Sequence, residues 1–141
     1  VRQPVRFFWP RQGAGRSSMS AMDGCLFCAI VADEVPADIV ARTEHTVAFR
    51  DIAPQAPTHV LVVPRHHCRD ALDLSANPTM AGHLLADAAE VARSLGLEPS
   101  GDDGADGGFR IVINTGSRAG QSVFHVHAHV FGGRPMAWPP G

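Results

Sequence analysis

The segment SVFHVHAHVFGG, residues 122–133, sets three imidazoles at alternate positions, His125, His127 and His129. Side chains on a strand alternate between faces, so all three are expected on one face, about 6–7 Å apart between successive Cα atoms. Phe124, Val126, Ala128 and Val130 then make an apolar back directed into a core. Three duties compete for such a face. One zinc ion could take all three rings, as in tri-histidine catalytic sites. Against this, the outer two Cα atoms lie about 13 Å apart on a flat strand, which strains convergence on one metal. A catalytic face with different tasks for different rings suits the spacing better, and chance is the third possibility.

Upstream, NTGSRAGQS runs straight into this strand. Gly116 and Gly120 can take positive φ and turn backbone N–H groups toward an anion, while Ser122 and Gln121 add side-chain donors. Beside a histidine face this loop suggests a phosphate pocket. A second pair with chemical potential is Cys25-x-x-Cys28. Alone it is ambiguous between redox and metal chemistry, and it precedes no thioredoxin-like βαβ unit. The third cysteine, Cys68, leaves an odd count that does not describe a disulfide framework. A reducing, cytoplasmic setting is the expectation.

These groups need elements to position them. CLFCAIV can form about two helical turns, with Pro36 limiting their extent. HTVAFRDI (45–52) and THVLVVPR (58–65) are rich in β-branched residues and predict strands joined by the turn APQAP. From Pro78 to Leu95, the residues Met80, Leu84, Leu85, Ala88, Val91, Ala92 and Leu95 recur at helical spacing. Asn77 is placed as N-cap with Pro78 at the first helical position, and Gly96 as the stop. EPSGDDGADGG (98–108) is an acidic loop without an apolar anchor, expected to be mobile. FRIVIN and VFHVHAHVF are the last two predicted strands. Mixed elements with short connections predict an α+β fold: an antiparallel sheet with helices packed on one face.

The chain's 141 residues suffice for one core, with 45% hydrophobic and 18% charged residues. It lacks lysine altogether. Residues 1–22 carry four arginines and no acid, whereas residues 23–141 set 8 arginines against 14 acids. The acidic body argues against nucleic acid as a partner, since backbone binding needs a basic face. No apolar run approaches membrane-spanning length. The first 22 residues read as an extension, with Met19 and Met22 as alternative starts, followed by a domain over 23–141. An arginine-rich, acid-free leader would also suit a transit peptide.

The stretches QSVFHVHAHVFGG, AFRDIAPQAPTHVLVVPRHH, FRIVINTGS and the WPPG end together resemble the histidine triad (HIT) superfamily, over roughly residues 25–141. DIAPQAPTH and WPPG are most similar to its Hint branch of purine nucleoside phosphoramidases. The resemblance implies the HIT fold and a nucleotide hydrolase that needs no metal for its chemistry. It makes His127 the nucleophile, with one ring nitrogen held by a fixed acceptor. His129 and Ser122 would contact the phosphate, with Asn114, His59, Gly120 and Gln121 around it. Asp51 would accept from the ribose hydroxyls, and Phe27, Val35, Phe49 and Ile52 would sandwich the purine. Core packing is the plain alternative for those four. The resemblance also implies a structural zinc on Cys25, Cys28, His67 and His125, and a homodimer in which Trp138 reaches the partner's site. Dinucleoside polyphosphate hydrolysis or nucleotidyl transfer by the same His127, and a non-catalytic nucleotide-binding scaffold, are the competing functions.

Overall fold

The computed structural model describes residues 24–141; the expected extension over 1–22, with its possible starts, lies outside the described residues. Five strands, β1 (Ile39–Arg42), β2 (Thr46–Arg50), β3 (Thr58–Pro64), β4 (Phe109–Val112) and β5 (Ala128–Gly132), form one sheet in the order β1-β2-β3-β5-β4. Every neighbouring pair is antiparallel. Among the described residues three α-helices accompany it, α1 (Leu26–Val31), α2 (Ala71–Ser75) and α3 (Pro78–Ser94), with two short 3-10 turns at Asp102–Gly104 and Ser117–Ala119. The expected α+β architecture is therefore the observed one.

Period-two alternation divides the sheet between two cores. Ala48, Val60, Val62, Ala128 and Val130 face Leu84, Ala88, Val91 and Ala92 of α3, and Leu74 of α2 joins them. Val47, Phe49, Leu61 and Val63 point the other way, against Phe27 and Ile30 of α1. The long helix thus covers one face, and short α1 walls a cleft on the other. α3 begins as its sequence dictates: Asn77 Oδ1 accepts from the Met80 N–H at 3.1 Å, and Pro78 opens the helix. Leu85, expected in the apolar stripe, is 60% exposed instead. Leu84 and Ala88 already fill that face, and the next residue falls about 100° around the helix.

Two elements went unpredicted. β1 follows Pro36 where only the end of a helix was expected, and α2 is a single turn capped by Asp70, whose side chain accepts from Asp73 N–H at 3.0 Å. α1 stops at Val31, before Pro36 could act, and Asp33 follows at φ 59. The acidic loop is closed on itself by reciprocal backbone hydrogen bonds between Ser100 and Asp106, at 2.7 and 2.9 Å.

Candidate active site and metal centre

The histidine strand starts later than the alternation predicts. β5 begins at Ala128, so His125 and His127 lie in irregular chain ahead of it. Phe124, assigned to the apolar back, is instead 37% exposed, with the Arg69 guanidinium 4.5 Å above its ring. Val126 leaves the ladder because its N–H donates to the Cys68 carbonyl at 2.7 Å. Its side chain is nevertheless fully buried with Ala128 and Val130, as expected.

His127 and His129 line the cleft with Phe27, Phe49, Asp51, Ile52 and Ser122, all seven singled out from the sequence. His127 Nδ1–H donates to the His125 carbonyl at 2.8 Å. That bond leaves the Nε2 lone pair free, which is the tautomer a nucleophile requires. Burial lowers the His127 pKa, outweighing the His125 carbonyl and Asp51, which favours the neutral ring.

A short relay sets the second ring. The Gln55 N–H donates to His59 Nδ1 at 3.1 Å, which places the His59 proton on Nε2. His59 Nε2–H then donates to His129 Nδ1 at 2.9 Å, nearer than Asp51 Oδ2 at 3.4 Å. His129 is left with a proton on Nε2, a donor for a phosphate oxygen. Asp51, His59 and His129 do bring ligand atoms within 4.8 Å of one another. The proton on His59 Nε2 makes that cluster a hydrogen-bond relay rather than a cation site.

Not every expected residue reaches the cleft. Gln121 is buried, and its side chain is spent on the loop: Oε1 accepts from Gly116 N–H at 2.9 Å and Nε2 donates to the Arg69 carbonyl at 2.8 Å. Gly116 and Gly120 take φ of 85° and 101°, as the loop demands, and Asn114 lies directly against Gly120. Val35 packs in the core around Phe27, outside the cleft lining. Trp138 is 83% exposed, next to an Ala137 whose carbonyl accepts from Arg110 at 2.8 Å. Leu26, Ile30, Arg50, Leu61 and Val123 line the cleft without having been anticipated. Leu61 alternates with His59 on β3, so strand period was a usable signal there; nothing local marks Arg50.

The four proposed metal donors converge. Cys25, Cys28, His67 and His125 bring their ligand atoms within 4.8 Å of one another. His67 and His125 Nδ1 are 3.2 Å apart, Cys28 Sγ stands 3.3 Å from each, and Cys25 Sγ is 3.4 Å from His125 Nδ1. A zinc tetrahedron with bonds of about 2.1 Å to nitrogen and about 2.3 Å to sulfur has edges of about 3.4–3.8 Å, a few tenths of an ångström from these separations. His125 Nε2–H donates to the Pro64 carbonyl at 2.8 Å, so Nδ1 turns an unprotonated lone pair to the cluster. Burial, reinforced by Cys25, pushes the Cys28 thiol up to about 12, a group that needs a cation to ionise. The donor set fits zinc.

Residues 32–136 match the HIT domain. The chain belongs to the HIT family. An uncharacterised HIT-like protein of Synechococcus elongatus is 44% identical over 117 residues, covering 82% of this chain and 96% of its own. A 14 kDa zinc-binding protein of Zea mays is 42% identical, covering 82% and 87% respectively. Among solved structures, a HIT family hydrolase from Legionella pneumophila superposes with a TM-score of 0.75 at 40% identity, covering 84% of this chain and all of that one. For this HIT protein, then, the triad is split between two neighbouring centres: His125 sits with the cysteines, and His127 and His129 sit in the cleft.

Acid should destabilise the domain through these rings. Burial lowers both His125 and His129 to about 4. Between pH 4 and the ordinary value of about 6.5 the unfolded chain therefore binds more protons than the folded one. The contribution is complete above pH 6.5 and is lost as pH falls toward 4. Urea midpoints should fall steadily from pH 7 to pH 4.5, and the H129N variant should show a shallower fall; a flat profile would contradict the burial of these rings.

Proposed function

We propose that this HIT protein is a Hint-branch hydrolase of purine nucleoside 5′-phosphoramidates, cleaving AMP–amine to AMP and the amine. The observation that carries it is the His127 ring, locked by the His125 carbonyl with Nε2 free in the cleft. Nε2 attacks the α-phosphorus, an N–P bond forms, and the P–N bond to the amine breaks as the departing nitrogen takes up a proton. Water then attacks phosphorus, gives up a proton, and returns His127 with release of AMP. His129 Nε2–H and the Ser122 hydroxyl, both in the cleft lining, hold phosphate oxygens in this reading, where donors stabilise charge developing in the transition state. Asp51 receives the ribose hydroxyls, and Phe27, Phe49 and Ile52 receive the purine.

Zinc, when bound by Cys25, Cys28, His67 and His125, supplies a structural cross-link, and the zinc-binding maize relative supports this assignment. Homodimerisation is supported by β4, which among the described residues pairs only with β5 and stands at the sheet edge. The exposed Trp138, tethered to that strand through Arg110, suits a tail presented to a partner's site. Purified protein should release AMP from adenosine 5′-phosphoramidate with kcat/KM well above that for diadenosine polyphosphates. The reverse ranking would select the polyphosphate hydrolase, and binding without turnover of either would select a scaffold.

A further inference from the structure

The chain from Val123 to His127 carries the candidate nucleophile, yet it lies ahead of the sheet ladder. Its position rests on a few separate contacts. Val126 N–H reaches the Cys68 carbonyl at 2.7 Å, Gln121 donates to the Val123 carbonyl at 3.2 Å, and His125 Nε2–H reaches the Pro64 carbonyl at 2.8 Å. The Val126 side chain is fully buried in the core, and the His125 ring stands among Cys25, Cys28 and His67. One residue therefore belongs to both centres. Its imidazole stands in the Cys2His2 cluster, and its carbonyl is the 2.8 Å acceptor that orients His127.

A second path runs beside the first. Phe27 lies between the two cysteines on α1, and its ring meets His127 edge-on, with centroids 4.9 Å apart and planes at 87°. α1 has six residues, too few to be helical unaided. Its N-cap contact is Cys25 Sγ accepting from Cys28 N–H at 3.4 Å, so the cysteines also start the helix. Leu26, Phe27 and Ile30 of this helix wall the cleft.

We propose that the Cys2His2 centre positions the reactive ring: His125 through its carbonyl, and Phe27 through ring contact, transmit metal occupancy to the pose and tautomer of His127. The inference rests on the proposed zinc and nucleophile assignments. Tying His125 and α1 together fixes both neighbours of one imidazole. Releasing them loosens one support of the carbonyl that accepts from His127 Nδ1–H and one end of the helix that walls the cleft.

The test compares zinc-loaded and chelator-stripped protein at constant pH. Ring nitrogens are read by NMR on histidine-labelled protein, with His127 assigned by its loss in His127→Gln, and AMP affinity is measured in parallel. Loaded protein should show His127 as a single tautomer protonated at Nδ1. Stripped protein should show tautomer averaging, with AMP binding weakened about tenfold. Stripped protein that stays folded with unchanged His127 shifts and AMP affinity overturns the proposal. Should stripping unfold the chain, His67→Ala keeps three donors and can be titrated with zinc: His127 shifts that track occupancy support the coupling, and shifts that ignore it refute it. Failure of loaded protein to bind AMP would instead refute the nucleotide reading, because the nitrogen shifts decide this inference on their own.

Discussion

Replacing His127 with alanine should lower turnover of adenosine 5′-phosphoramidate by about 10⁴-fold or more, while AMP still binds. The size of the effect follows from the chemistry. In the proposed mechanism, removing the imidazole removes the covalent path and leaves only positioning and charge stabilisation by His129 and Ser122. Binding should survive because the residues proposed to hold the purine and ribose, Phe27, Phe49, Ile52 and Asp51, line the cleft from α1 and the end of β2. Intact mass spectrometry during turnover gives the second readout: a nucleotidyl adduct on the wild type and none on H127A. An H127A protein that retains turnover or still carries the adduct would place the nucleophile elsewhere. Loss of binding with loss of turnover would mean that His127 mainly shapes the cleft.

The second large effect is on stability. Cys28→Ser should abolish stoichiometric zinc retention and lower Tm by about 15 °C. A metal held at free concentrations about 1,000-fold above its Kd contributes about 4 kcal/mol to folding. For a domain of this size each kcal/mol moves Tm by about 4 °C. The mechanical reason is visible in the four donors. Cys25 and Cys28 lie at the start of α1, His67 follows β3, and His125 precedes β5, so one ion held there would cross-link three separate parts of the chain. Chelation of the wild type should reproduce the C28S value, and calorimetry with and without chelator checks it. Equal Tm for wild type and C28S, with zinc lost from the variant, would refute the structural role.

Much of this protein was legible in its residues alone. Strand period assigned Val126, Ala128 and Val130 to the core, and it set His127 and His129 on the opposite face, because alternation is a property of each residue's own backbone. Asn77 and Pro78 marked the start of α3 for an equally local reason: the cap satisfies N–H groups one turn away. The triad's spacing also implied divided duties, since a strand cannot bend its outer rings onto one metal. Where each side chain ends was a matter for packing. His125 lies outside the strand, its ring among Pro64, His67 and the cysteines of α1, while the next N–H, of Val126, goes to the Cys68 carbonyl; all these partners are remote in sequence. Phe124 turned out to solvent beside Arg69, and Leu85 was left exposed once its neighbours filled the groove against the sheet. Gln121, chosen for a phosphate, went to clip its own loop, and Arg50 entered the cleft with no local mark. The His127 tautomer is set by the His125 carbonyl two residues away, whereas that of His129 depends on the His59 ring, which β3 brings beside it. Such partners are set by three-dimensional packing, and a pattern of period two or 3.6 carries no information about them.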